Sequence, residues 1–267
     1  MKAVSMILML STVALFGAGS SAAYNVEHTF FGKIAEAHVV KDIQDDHYVI
    51  ELSILTTGLV ASLSDNLEKR FISQGSIVDG LYVPDVLTVL KRKDDEERFV
   101  TYRFDHQKKV LSIDMSEKSL ITDNTFDPVS FSFHETKRLE YSHESHLCKS
   151  YVQNDVISLF FNAKNYVKDQ KSMEQATFMA AGIDDDEEDE VDGILEFGIS
   201  QEDIRDIIST SLQNSMISVN LSNFKETDRH LVIDINPDSL PQSVTLDDVA
   251  FGDVVIERVY ENVAVKK

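Results

Sequence analysis

The chain has 267 residues, 43% hydrophobic and 27% charged, ordinary values for a folded protein and outside those of disordered chains. With 46 Asp and Glu against 25 Lys and Arg, the formal net charge is −21, which excludes the basic footprint of a nucleic-acid binder and opposes anionic lipid headgroups. Such a surface favours solubility, cationic partners or divalent cations, and the one cysteine, Cys148, excludes an intrachain disulfide.

Met1 and Lys2 precede an apolar run from Ala3 to Phe16, and a small-residue stretch, Gly17 to Ala23, follows. A positive start, an apolar segment too short to span a bilayer and Ser/Ala before a cut after Ala22 or Ala23 predict a secretory signal peptide over 1–23. The remainder, 24–267, reads as a single β-rich domain, a length that one large sandwich or barrel accommodates. No cysteine follows the cut to take a lipid, and no later run approaches about 18 apolar residues, so no membrane span is expected. The short basic start and the absence of disulfides point to a bacterial periplasm. The sequon Asn220-Leu221-Ser222 is then a chance match.

From 24 to about 120 the apolar period is two, broken by short turn signals, and predicts a meander with strands at 24–40, 47–57, 69–78, 81–91, 98–105 and 110–115. The clearest hairpin turns at Asp79-Gly80, a pair suited to the two positive-φ positions of a type I′ turn, and Gly75 inside its first strand suggests a bulge. A second turn falls at 105–108, and Lys91-Arg92-Lys93 beside Asp94-Asp95-Glu96-Glu97 reads as a mixed-charge hairpin tip.

A helix over 154–168 follows, with Asn154 as cap, Asp155 in its first turn, and Val156, Leu159, Phe160, Ala163 and Val167 at helical spacing. Ile157, Phe161 and Tyr166 make it too apolar to stand free, so it should pack on the concave face of the sheet. A second helix is expected over 200–212, with Ser200 and Asp203 near its start and a stripe of Ile204, Ile207, Ile208 and Leu212. Strands are also expected at 193–199, 216–222, 229–236 and 254–260. The fold expected is mainly β, one curved antiparallel sheet or partial barrel with two or three covering helices.

The order Tyr24-x-Val26, Phe31-Gly32-Lys33-Ile34, Tyr48, Gly58-Leu59, Ser73-x-Gly75, Asp79-Gly80-Leu81-x-x-Pro84, then Phe104-Asp105 before Lys109-Val110, resembles the exported bacterial family called domain of unknown function 3108. Asn154-Asp155-Val156-Ile157-Ser158-Leu159 looks like its Asp-x-x-Ser helix start, and Asp238-x-x-Pro241 with Phe251-Gly252 looks like its closing strands. The resemblance covers most of 24–260 and implies an envelope protein with a β-rich fold and no known activity. The stretch about 183–192 departs from that pattern as an acidic insertion.

That insertion carries Asp184, Asp185, Asp186, Glu188 and Asp189, carboxylates of the kind that collect hard cations, but its spacing fails the EF-hand pattern because Ile199 stands where a bidentate Glu belongs. The plainer reading is a solvated, self-repelling loop. Among His134, His143, His146 and Cys148, a strand over 142–150 places Glu144, His146 and Cys148 on one face as a candidate soft metal corner, short of a fourth ligand. A polar strand with one small apolar Cys is the plainer account, and a His146–Cys148 thiolate pair lacks an orienting third group. Ser76 and Ser158 read as turn and capping hydroxyls. No GxSxG, HExxH or phosphate-loop pattern occurs, so neither enzyme nor cofactor is expected beyond a divalent cation.

Phe30, Phe31, Ile54, Leu59, Leu63, Phe71, Tyr82, Phe99, Tyr102, Phe104, Phe131, Phe133, Phe160 and Phe161 are enough to fill the concave side of such a sheet or to line a cavity for an acyl chain. The expected function is a soluble periplasmic envelope protein that binds an apolar or amphipathic ligand; the alternative is an assembly protein that contacts other envelope components through an acidic face and a sheet edge.

Overall fold

A computed structural model describes residues 19–148, 150–169, 175–182, 194–200, 217–224, 227–235, 240–249 and 252–259. Fifteen strands and two helices occur among them: β1 Ser20–His28, β2 Gly32–Gln44, β3 His47–Thr56, α1 Gly58–Leu63, β4 Glu68–Val78, β5 Leu81–Arg92, β6 Glu96–Asp105, β7 Val110–Asp127, β8 Ser132–Leu147, β9 Asn154–Asp155, α2 Val156–Asp169, β10 Gln175–Ala181, β11 Ile194–Ser200, β12 Ile217–Phe224, β13 Thr227–Ile235, β14 Pro241–Val249 and β15 Gly252–Val259. Twelve strands form one sheet in the order β12-β13-β14-β15-β1-β2-β3-β4-β5-β6-β7-β8. Each neighbour pair is antiparallel, and the sheet is not closed, with β12 and β8 at its two ends. A small sheet, β11-β10-β9, stands apart, its two-residue strand β9 parallel to Ala180 and Ala181.

Alternation decides which side is the core. Tyr24 and Val26 of β1 face inward beside Ala37 and Ala35 of β2, and the same row continues through Ile54 and Leu52 of β3, Phe71 of β4, Val89 of β5 and Val100 of β6. The neighbouring residues point to solvent, the pattern of an antiparallel sheet wetted on one face. Helix α2 lies against β4 and β5 on the inner side.

The meander matches its expected turns. Asp79 and Gly80 have φ of 53° and 80°, the left-handed pair of a type I′ turn. At Gly75 the ladder slips by one residue, and a Cβ there would stand 2.0 Å from the Val83 carbonyl oxygen, so the bulge requires glycine.

Four expectations change. The strand over 24–40 is a hairpin that turns at 29–31, because Gly32, with φ of 65°, releases the chain where the neighbouring Phe30 and Phe31 carry no polar turn signal. The strand 110–115 extends to Asp127 and returns as β8, a polar partner with little alternation to reveal it. Asp155 rather than Asn154 caps α2: its Oδ1 accepts the Ser158 N–H at 2.6 Å while Ser158 Oγ accepts the Asp155 N–H at 2.9 Å, and Asn154 instead joins β9. Ser200, expected to start a helix over 200–212, ends β11 instead; the rest of that expected helix and the acidic stretch about 183–192 lie outside the described residues.

Candidate apolar cavity and its polar anchor

The inner face does not fill. Between β1–β3, β4 and α2 lies a cavity of about 350 Å³, walled by Tyr24, Val26, Ala37, Val39, Ile50, Leu52, Ile54, Phe71, Val156, Ile157, Phe160, Phe161, Pro241, Val244 and Ile256. Its origin is visible in side-chain volume. On β2 the wall is Ala37 and Val39, small beside Leu52, Ile54 and Phe71 of β3 and β4, and α2 presents Val156, Ile157, Phe160 and Phe161 from the other side. Among the described lining residues the polar side chain is Tyr24, whose hydroxyl donates to the Pro241 carbonyl at 3.0 Å.

An aromatic relay ties this wall to the helix. Tyr48 meets Tyr82 edge-on at 5.0 Å, Tyr82 meets Phe161 at 5.4 Å and Phe161 meets Phe160 at 5.3 Å. The Lys41 ammonium stands 5.4 Å over the Phe161 ring, a cation–π contact at the cavity margin.

Beside the cavity α2 is pinned by buried polar groups. Asp155, Ser158 and Asn162 recur at i, i+3 and i+7, share one helix face, and are wholly buried. Asp155 Oδ2 accepts the Ser73 hydroxyl at 2.6 Å, and Ser73 in turn accepts the Tyr48 hydroxyl at 3.1 Å. Asn162 Oδ1 accepts the Tyr82 N–H at 2.8 Å while its Nδ2 donates to the Tyr82 carbonyl at 2.7 Å. The reason is topological: β6 pairs with β5 only from Val86 onward, which leaves Tyr82 without a strand partner on that side, and the Asn162 amide replaces one.

His106 performs the same service nearby, Nε2 donating to the Pro84 carbonyl at 2.7 Å while the Tyr151 hydroxyl closes on Nδ1. Burial pushes the Asp155 carboxyl above the ordinary range against the opposing pull of its Ser158 and Ser73 hydrogen bonds. Burial, then the nearby Asp155, pushes the Tyr48 phenol far up as well, so it stays protonated and can donate to Ser73.

The expected aromatic interior divides. Ile54, Phe71, Phe160 and Phe161 line the cavity, Tyr82 stands beside it, and Tyr102 and Phe104 are core. Phe30, Phe31, Leu59, Leu63, Phe99, Phe131 and Phe133 are exposed instead. The first two sit on the β1–β2 turn, the leucines on α1, whose six residues bury none of their side chains, and Phe131 and Phe133 on the far tip of the β7–β8 hairpin.

The candidate metal corner is a stretch of edge strand. Glu144 is exposed opposite Met115, His146 is half-buried opposite Ile113, and Cys148 packs half-buried against the core. Among the described residues no cluster of three or more His, Cys, Asp or Glu side chains is grouped to hold a metal ion. His143 and His134 bond instead to Ser116 and Asp127. Asp184, Asp185, Asp186, Glu188 and Asp189 lie outside the described residues. Sequence reading places Asp155 in the first turn of the helix, Ser158 as a capping hydroxyl and Ser73 in a turn motif, and does not single out Asn162; the i, i+3, i+7 spacing of Asp155, Ser158 and Asn162 was the available signal.

No family model matches the chain. No curated protein is similar to it in sequence. Among solved structures it is similar to the crystal structure of a beta-barrel-like protein of domain of unknown function DUF1849 from Brucella abortus, at 8% identity, with 92% of this chain and 98% of that chain covered and a TM-score of 0.42. No helix among the described residues is long and apolar enough to cross a membrane.

Proposed function

We propose that the protein is an exported, periplasmic, non-enzymatic envelope protein that holds an apolar or amphipathic ligand between the concave face of its sheet and α2. The observation that carries this reading is the cavity of about 350 Å³ with an apolar wall, a volume within the range of small-molecule sites. A void of that size has no compensating contacts when empty, so an unoccupied state forfeits packing that an apolar guest restores. Export is supported by the signal-like segment 1–23 and by the resemblance of the turn residues to domain of unknown function 3108. A cut after Ala22 or Ala23 removes the start of β1, the buried Ala22 included, and keeps its core positions Tyr24 and Val26.

An assembly role without a small ligand is the second reading, favoured by the long exposed edge strand β8. Native mass spectrometry of the protein purified from the envelope of its own host separates the two. A discrete lipid or small molecule present before denaturation and released by it supports the carrier; an empty protein that co-purifies with other envelope proteins supports assembly and overturns the carrier.

A further inference from the structure

Strand β6 begins at Glu96 and pairs with β7 only as far as Ser119. Beyond that point β7 and β8 continue as a two-stranded arm over 120–139 with no third strand beside it among the described residues. A lone hairpin of this kind is marginal in water. Strand β8, exposed almost throughout, is also the end strand of the twelve-stranded sheet among the described residues.

The direction of its backbone groups follows from two hydrogen bonds. The Cys148 N–H continues the β7–β8 ladder by donating to the Leu111 carbonyl at 2.9 Å, while the Leu120 N–H turns away from β8 to the Asp95 carbonyl at 2.7 Å. The β7–β8 register has no slip, so both fix one parity: even-numbered residues of β8 bond to β7, and odd-numbered ones, Leu139 among them, direct N–H and C=O to the open edge.

We infer that two copies of the chain pair β8 with β8, antiparallel, about a two-fold axis through Leu139. The segment His134-Glu135-Thr136-Lys137-Arg138-Leu139-Glu140-Tyr141-Ser142-His143-Glu144 is complementary to its own reverse. In that register Arg138 meets Glu140 of the second copy, His134 meets Glu144, Glu135 meets His143, Lys137 meets Tyr141, Thr136 meets Ser142 and Leu139 meets itself. Opposite charges directly across a ladder stabilise it and like charges oppose it. The outward parity allows the axis to move to residue 138 or 140, and these positions set Arg138 against Arg138 or Glu140 against Glu140. The Leu139 axis is free of both clashes.

Each arm would then lie along the body half of the partner's β8, becoming part of a four-stranded β7-β8-β8-β7 ribbon. Arg138 Nη1 already reaches Glu140 Oε1 of its own strand at 2.6 Å and its Nε reaches Asp123 at 3.0 Å, so the two-fold gathers two Arg and two Glu into one alternating cluster. This pairing is independent of what the cavity holds.

Sedimentation velocity of the mature chain across the micromolar range tests it, with Arg138→Glu, Glu140→Arg and Leu139→Pro. The wild type is expected to dimerise. Each charge variant alone should weaken the dimer by about tenfold or more, because both symmetry-related pairs become like-charged. An equimolar mixture of Arg138→Glu and Glu140→Arg should recover a one-to-one dimer, a result that general destabilisation cannot produce. Leu139→Pro removes an outward donor and should give a folded monomer by circular dichroism. A wild type monomeric throughout, charge variants that dimerise as the wild type does, or a mixture that stays monomeric would each overturn the inference.

Discussion

The two flanks of α2 meet the sheet by opposite means. Toward β4 and β5 the helix is fixed by directed bonds: Asp155 to Ser73, Asn162 to both backbone groups of Tyr82, and the Asp155–Ser158 cap. Toward β1–β3 it faces an apolar wall across about 350 Å³ of open space, with Phe160 and Phe161 on its own side. A helix held on one side by polar groups with few alternative geometries does not need to collapse onto the other side to stay in place. The space is maintained by the anchor beside it, and the anchor and the cavity should respond separately to mutation.

The largest effect expected is from Asp155→Ala, which removes the cap of α2 and takes the acceptor away from the buried Ser158 N–H and Ser73 O–H. Equilibrium urea unfolding should show a loss of about 3 kcal/mol; a loss below about 1 kcal/mol would mean the anchor does not hold the helix. Next, Asn162→Leu keeps the volume but orphans the N–H and C=O of Tyr82, costing about 2 kcal/mol and raising hydrogen exchange at the Tyr82 amide. Smaller again is Ala37→Phe, which fills the space from the β2 side and should change stability by no more than about 1 kcal/mol, since the added ring enters a void rather than a packed core.

The smallest is a difference in pH response. The Asp155 carboxyl titrates higher in the folded than in the unfolded chain, so its protonated form favours the fold. Its contribution is complete below the unfolded aspartate range and is lost as pH rises through the folded value. Relative to Asp155→Asn, which cannot ionise, the wild type should therefore gain stability as pH falls from neutral; a parallel pair of stability curves would show that the carboxyl is not held in its neutral form.

Much of the sheet was legible because turn chemistry is local. Asp79-Gly80 and Gly75 announce a positive-φ turn and a bulge that any arrangement of the rest must respect. The β1–β2 turn was not, since Thr29, Phe30 and Phe31 look like more strand, nor was β8, whose residues are polar on both faces because neither face is covered. The anchor was half legible: Asp155 and Ser158 stood out as a helix start, but their bond to Ser73 spans 82 positions and depends on the register of β4. The cavity was illegible in principle. Periodicity assigns Ala37, Leu52 and Phe161 to the inside and is silent on whether their volumes meet.

Whether the cavity holds a ligand is tested by titrating the purified protein with a fluorescently labelled long-chain fatty acid, comparing wild type with Ala37→Phe. Saturable binding of one equivalent by the wild type, reduced at least about tenfold in a folded Ala37→Phe, is the expected result and places the ligand against β2. Equal binding by both, or none by a wild type first stripped by denaturation and refolding, would contradict a ligand-holding cavity.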